Sequence, residues 1–509
     1  MLFIENFASS VELFFTLEHL LLVALGLLIG IMIGAIPGLN VPMTVALLLP
    51  ITFYMSPIAG LTLLMGVYKG GTYGGSISAV LINTPGAPAA AVTCLDGYPL
   101  AKQGKSGKVL RASIYASVVA EFIADIILIT LAAQIARIAL QFGPVEKFSL
   151  VVFALCTIAV VSSRQKLKGI VAVLVGIFFF TIGIDPVSGS PRFTFGMVEL
   201  TGGVAFLPML IGLFAVSEFF VHIERVAMER KAGEADDRET VIPISERRED
   251  NYVSWKEFKG QLRTIIRSAF IGVGIGALPG SGSAISAYVS YGAAKNASND
   301  PESYGRGAMD GVVAAESGNN AAVGGALIPL LTLGIPGDAI TAILLGVFLV
   351  HGLVPGPELF TESADVVYPV FIGLLVANVF HLFIASAGLR FFRRVIQIRR
   401  SLLFPIVIVI CLTGAYTANS NPFEVFVMIF FGLLGYLMKK FDFPVAPLLM
   451  GYILGTLFEK SLVQALVLSD NSLLPFVTHP ISLLFVLLTL FFIGWSLVLQ
   501  RRRVTKRSG

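Results

Sequence analysis

Charge is scarce in this sequence. Its 509 residues include 36 Lys and Arg and 32 Asp and Glu, 13% in all, where a soluble globular domain carries roughly 25%. The apolar set reaches 56% and mean hydropathy is +0.85. A soluble fold of this length needs more polar surface than that, which excludes disorder, fibrous repeats, a nucleic-acid binder and an ordinary cytosolic enzyme. The composition is that of an integral membrane protein. Cysteine is scarce too. Cys94, Cys156 and Cys411 lie in or near apolar stretches and make no disulfide framework. No Lys or Arg precedes Lys69, so the N-terminus lacks the basic region of a secretory signal.

What the sequence has in quantity is apolar runs. Those long enough to cross a bilayer fall near 18–36, 112–136, 147–163, 169–184 and 204–222, and again near 368–389, 403–419, 423–438, 443–459 and 481–500. Between the two groups lies a charged stretch, 223–263, with nine basic and ten acidic residues, too short for a domain and read as a cytoplasmic linker. Lys102, Lys105, Lys108 and Arg111, then Arg164, Lys166 and Lys168, fall on the side of that linker when crossings are counted. Downstream, Arg390, Arg393, Arg394, Arg399 and Arg400, Lys439 with Lys440, and Arg501 to Arg503 alternate consistently with it. Excess Lys and Arg marks the cytoplasm, which puts the N-terminus outside and the C-terminus inside.

The chain repeats itself. Ile33-Gly-Ala-Ile-Pro-Gly38 recurs as Ile275-Gly-Ala-Leu-Pro-Gly280, and each half has a second Pro-Gly, at Pro85-Gly86 and Pro336-Gly337. Four crossings follow each glycine-rich core. By the parity of the basic residues the two halves are inverted, an arrangement of secondary transporters, whose sites lie at broken helices. The expected fold is an all-α polytopic membrane protein: a first repeat over 1–222 with its broken-helix core about 33–97, the linker 223–263, a second repeat over 264–459 with its core about 272–357, and a C-terminal helix with basic tail over 460–509. The final helix is an appendage.

Glycine and proline crowd the cores. Freed backbone groups facing lipid cost several kcal/mol each, so such runs unwind only inside protein or around water; small residues also let helices pack closely. Polar residues beside the breaks have the chemistry for a small carboxylate: Ser76, Ser78, Asn83, Thr84 and Gly86 in the first half, Asn319, Asn320 and Gly337 in the second, with Asn40, Ser281 and Ser283 after the first breaks. Exposed helix N-termini offer N–H donors to an anion. Lys69 either pairs with a substrate carboxylate or snorkels to the interface. Asp338, with Thr332, suits a coupling cation; Asp338 would equally cap the half-helix it begins. Glu121 and Asp125, four apart on one helix face, would relay protons or sit against a partner subunit. His351 and His381 show no metal spacing and read as structural. Gly26 falls in a plain helix outside the cores.

Hydrolase motifs fail on inspection. Gly280-Ser281-Gly282-Ser283 has Pro279 where Gly-x-Ser-Gly needs glycine, and Pro336-Gly337-Asp338 has Ile335 where Gly-x-Gly-Asp needs it. A channel for small organic anions, the other alternative, needs a continuous charged or polar pore lining.

Tyr73-Gly-Gly-Ser-Ile-Ser-Ala, Asn83-Thr-Pro-Gly-Ala-Pro, Leu95-Asp-Gly-Tyr-Pro, Asp185-Pro, Pro191-Arg-Phe-Thr-Phe-Gly196, Glu316-Ser-Gly-Asn-Asn320 and Leu333-Gly-Ile-Pro-Gly337 resemble the large membrane subunit of the tripartite tricarboxylate transporters. Gly318 stands where that family leads one to expect alanine. The resemblance implies a bacterial inner-membrane carrier of citrate-like carboxylates driven by a sodium or proton gradient. It further implies a small membrane subunit and a periplasmic solute-binding protein as partners. No enzyme activity and no cofactor beyond a coupling sodium ion are expected.

Overall fold

The computed structural model describes residues 2–161, 165–185, 188–232, 242, 245, 247, 249–396 and 400–505. Arg164, Pro186, Arg399 and most of the middle of the charged stretch lie outside the described residues. The first half runs α1 (Leu2–Phe14), α2 (Leu17–Ala35), α3 (Val41–Thr52), α4 (Pro57–Ile82), α5 (Ala90–Leu100), α6 (Ser106–Ala139), α7 (Pro144–Val161), α8 (Lys166–Phe180) and α9 (Phe206–Ile211), which passes through a π turn into α10 (Ser217–Ala232). The second runs α11 (Trp255–Gly276), α12 (Gly282–Ala297), α13 (Met309–Leu333), α14 (Ala339–Val350), a short α15 (Leu359–Glu362), α16 (Ala364–Val395), α17 (Arg400–Asn419), α18 (Phe423–Lys440) and α19 (Val445–Leu468). The chain then adds α20 (Pro475–Thr478) and α21 (Pro480–Thr505). A two-stranded hairpin, β1 (Gly183–Ile184) with β2 (Pro191–Arg192), closes the loop after α8. The protein is an all-α polytopic membrane protein. Among the described residues six helices are long and apolar enough to cross a bilayer, and four shorter apolar helices accompany them.

The repeat seen in the motifs extends to whole elements. α2, α3, α4 and α5 reappear as α11, α12, α13 and α14. Backbone conformation repeats as well: Gly38 and Gly280 have φ of 86° and 76°, and the residues ending α4 and α13, Asn83 and Gly334, have φ of 55° and 69°. Proline supplies no N–H and left-handed backbone cannot continue a helix, so each half is cut twice. Both charged-stretch boundaries shift inward, because α10 continues to Ala232 and α11 starts at Trp255. A Ser254–Glu257 capping box starts α11, and Glu257 also pairs with Lys108 at 2.5 Å. The Lys108 bond first, then the Ser254 backbone, holds the Glu257 carboxyl down at about 2.

The halves interlock rather than stand side by side. α6 packs along α13 of the other half, and α16 packs on α2 and α4. Outside this core α8 packs on α19 with α7, and α18 packs on the α9–α10 helix. Helices from the two halves therefore do not form separate packing units.

Candidate substrate-binding cavity

Four short helices begin at the four breaks, and their N-termini meet. A cavity of about 350 Å³ is lined by Asn40, Val41 and Pro42 at the start of α3, Ala87 and Pro88 just before α5, Gly282 and Ser283 at the start of α12, and Asp338 and Ala339 at the start of α14. Thr72 of α4 and Asn319 of α13 form the wall between them. The opposite wall belongs to the outer helices: Ile158, Phe214, Glu218, Lys439, Ala446 and Met450. The volume falls in the range of small-molecule sites.

Each start has a local cause. Asn40 caps α3 by accepting from the Met43 N–H at 2.8 Å. Asp338 caps α14, accepting from the Thr341 N–H at 2.8 Å while Thr341 Oγ1 accepts from the Asp338 N–H at 2.8 Å. The Tyr68 hydroxyl donates to the second Asp338 oxygen at 2.5 Å, tying α4 to this cap across the repeat. The two breaks of the second half touch: the Gly280 N–H donates to the Gly337 carbonyl at 2.7 Å. At Gly86 a Cβ would lie 2.0 Å from the Gly34 carbonyl oxygen, so only glycine permits that approach.

Lys439 is the one cation lining the cavity among the described residues. Its Nζ donates to Glu218 Oε1 at 2.9 Å and to Ser217 Oγ at 2.8 Å. Asn40 Nδ2 donates to the same Glu218 oxygen at 2.7 Å. This row joins a helix start in the core to two outer helices. Asn319 Nδ2 donates to the Thr72 carbonyl at 3.2 Å, while its Oδ1 is buried without a partner.

Of the residues expected to bind substrate, Asn40, Ser283 and Asn319 line the cavity, and so does Asp338. Gly86 and Gly337 sit one residue before lining positions. The others do not line the cavity. Ser76 donates to Glu316 at 2.6 Å, Ser78 to the Gly75 carbonyl at 3.2 Å, Ser281 to the Ile275 and Leu278 carbonyls, and Asn320 to Ser117 at 2.8 Å. Thr332 donates to the Ile328 carbonyl at 2.7 Å within its own helix. Asn83 ends α4 at positive φ and Thr84 follows it, neither lining the cavity. Lys69 corrects an expectation: it neither lines the cavity nor snorkels, because its Nζ lies 2.5 Å from Asp125 Oδ2 in full burial. Glu121 and Asp125 accordingly face the inside of the chain and not a partner subunit.

Two cavity groups went unrecognised in the sequence. Glu218 is the lone acid in the 204–222 run, and an ionisable residue inside such a run is a functional signal in itself. Lys439, at the end of the 423–438 run, reads in the sequence as a membrane-flanking charge.

A polytopic helical protein that gathers broken-helix N-termini and a lysine around one cavity has the build of a membrane carrier for a small anion. The chain belongs to the tripartite tricarboxylate transporter TctA family, whose model matches residues 20–450. The family is one of transporter components, so the chain is not an enzyme. It is 35% identical over 479 residues, 94% of this chain and 93% of the relative, to an uncharacterized 52.8 kDa protein of Agrobacterium vitis described as lying in the TAR-I ttuC′ 3′ region. A second Agrobacterium vitis protein, uncharacterized and described as in the TAR-II ttuC′ 3′ region, is 35% identical over 208 residues, 41% of this chain and 86% of that relative. No solved structure matches the chain.

Proposed function

We propose that this chain, as the large membrane subunit, carries out secondary active uptake of tricarboxylates or related organic carboxylates across the bacterial inner membrane. The observation that carries the reading is the convergence of four helix starts and Lys439 on one cavity. Each helix N-terminus is worth roughly half a positive charge. Together they offset most of a small polyanion's charge without requiring a cluster of cationic side chains in the membrane. One carboxylate sits among the N-termini and Asn319, and another takes Lys439 from Glu218. Glu218 and Asp338 leave acidic charge around the bound anion, which favours cation co-transport down a sodium or proton gradient. The inverted repeats, with the N-terminus periplasmic and the C-terminus cytoplasmic, let the same cavity open to either side. A small membrane subunit and a periplasmic binding protein that delivers substrate complete the system, as the family implies.

The test is uptake into proteoliposomes holding the chain with both partners, screening di- and tricarboxylates under separately imposed sodium and proton gradients. Saturable accumulation of at least one carboxylate, dependent on a gradient and on the binding protein, is expected. Non-saturating flux independent of any gradient would make it a channel.

A further inference from the structure

A second polar cluster lies buried where α4, α6, α13 and α16 meet. Lys69 Nζ reaches Asp125 Oδ2 and Asn378 Oδ1 at 2.5 Å each and the Leu374 carbonyl at 3.3 Å. Asn378 Nδ2 closes the ring by donating to Asp125 Oδ2 at 2.7 Å. Lys69 and Asp125 are thus a direct pair, bonded through Asp125 Oδ2. Glu121 stands apart from it: its Oε2 is 3.9 Å from Lys69 and 3.3 Å from His381 Nδ1. Glu121 and His381 are no more than 1% exposed. Glu121 Oε1 and His381 Nε2 have no hydrogen-bond partner, and neither do Asp125 Oδ1 and the Tyr73 hydroxyl. The Tyr73 ring packs on His381 with centroids 4.9 Å apart.

One ammonium therefore serves two carboxylates, bonding Asp125 at 2.5 Å and standing 3.9 Å from Glu121, whose nearer partner is the His381 imidazole at 3.3 Å. A buried charge without compensation is strongly disfavoured in the membrane interior. A proton on the Glu121–His381 pair removes the imbalance. A metal cation suits the place poorly, because the Lys69 ammonium already occupies the carboxylate ring. No three His, Cys, Asp or Glu among the described residues are grouped to hold a metal ion. The other titratable group facing the pair is Glu316 of α13, which acts electrostatically on Tyr73 and is acted on by His381. On α5 and α11, which also pack on α6, Asp96 binds the 305–308 backbone, Glu257 pairs with Lys108 and Arg267 acts on Tyr304.

The cluster is wired to the cavity through α4. Lys69 and Tyr73 flank Thr72 on that helix, and Thr72 lines the cavity and accepts from Asn319. Lys69 and Tyr73, which touch the pair, thus lie within one helical turn of a residue that lines the cavity.

We propose that the Glu121–His381 pair holds the coupling proton, taking it up from the periplasmic side with substrate and releasing it to the cytoplasm. This rests on the transport reading. In proteoliposomes holding the complete assembly, with citrate and other tri- and dicarboxylates as probes, the wild-type protein should acidify the lumen as substrate enters. Glu121→Gln and His381→Gln should each lower the ratio of pH-gradient-driven accumulation to substrate exchange at least tenfold, with Glu121→Asp partly restoring it. Accumulation on a sodium gradient without proton entry would overturn the proposal, as would an unchanged ratio in both variants. The wild-type proton measurement decides the matter if the variants do not fold. Absence of exchange for every carboxylate in the wild type would overturn the transport reading and this proposal with it.

Discussion

Adjacent residues can have unrelated jobs, and Lys439 and Lys440 are the example. Successive positions on a helix point about 100° apart, so Lys440 pairs with Glu224 at 2.5 Å at the surface while Lys439 turns to Glu218 and the cavity. Lys439→Gln removes the cavity's cation and leaves the Glu218 carboxylate facing substrate. The expected result is at least a tenfold rise in KM for a tricarboxylate, about 1.4 kcal/mol or more, whereas Glu218→Gln frees the ammonium and should hold or lower KM. Initial-rate uptake of both variants checks the opposite signs. A sequence shows that two lysines flank an apolar run but not which of them turns inward. Lys69 teaches the same lesson. It was visible as a cation within an apolar run, yet its partners Asp125 and Asn378 lie 56 and 309 positions away, beyond any local spacing rule. The helix-start residues were more legible, because Asp338 directly follows a Pro-Gly and Asn40 comes two residues after one, where a cap is needed whatever the fold.

At the scale of elements, the breaks were readable and the seams were not. Proline and left-handed glycine interrupt a helix by local chemistry alone, so all four interruptions could be placed from sequence. The partner of a glycine face cannot. Gly26, expected to sit in a plain helix, instead belongs to a seam in which Gly26, Gly30 and Gly34 of α2 meet α4 at Gly66, Gly70 and Gly74. A Cβ on Gly26 would lie 2.2 Å from the Leu63 carbonyl oxygen, and one on Gly70 would lie 2.4 Å from that of Leu27. Gly26→Ala should therefore cost about 1–3 kcal/mol of stability by overpacking, seen as a lower Tm in detergent. Gly274→Ala on α11, where a Cβ meets nothing within 4 Å, should not. Another cross-repeat tie involves the buried Asp96 of α5. Its Oδ1 accepts from the N–H groups of Gly305, Gly307 and Ala308 at 2.8 Å each, and its Oδ2 accepts from the Tyr291 hydroxyl at 2.9 Å. Asp96→Ala strands these donors, at about 1–3 kcal/mol for each one left buried and unpaired. A lowered Tm, with faster hydrogen exchange at 305–308, is the expected outcome.

For the whole molecule, the duplicated order of α2–α5 and α11–α14 was legible from repeated motifs, but the interlocking of the halves was not, since α6 and α16 choose their partners by tertiary packing. That interlocking brings all four helix starts to one place, between the broken-helix core and the outer helices. Carboxylate transport by this chain requires that the cavity hold the carboxylate. Protection of a reporter thiol tests it most directly. With Cys94, Cys156 and Cys411 replaced, Ser283→Cys and Ala446→Cys place thiols on opposite walls, and Ser472→Cys places one on an exposed loop. Maleimide labelling of the purified protein in detergent should slow severalfold at both cavity positions when citrate or another transported carboxylate is added, and stay constant at residue 472. Unchanged labelling at both cavity positions, with a preparation that transports that carboxylate once reconstituted, would show that the carboxylate binds elsewhere.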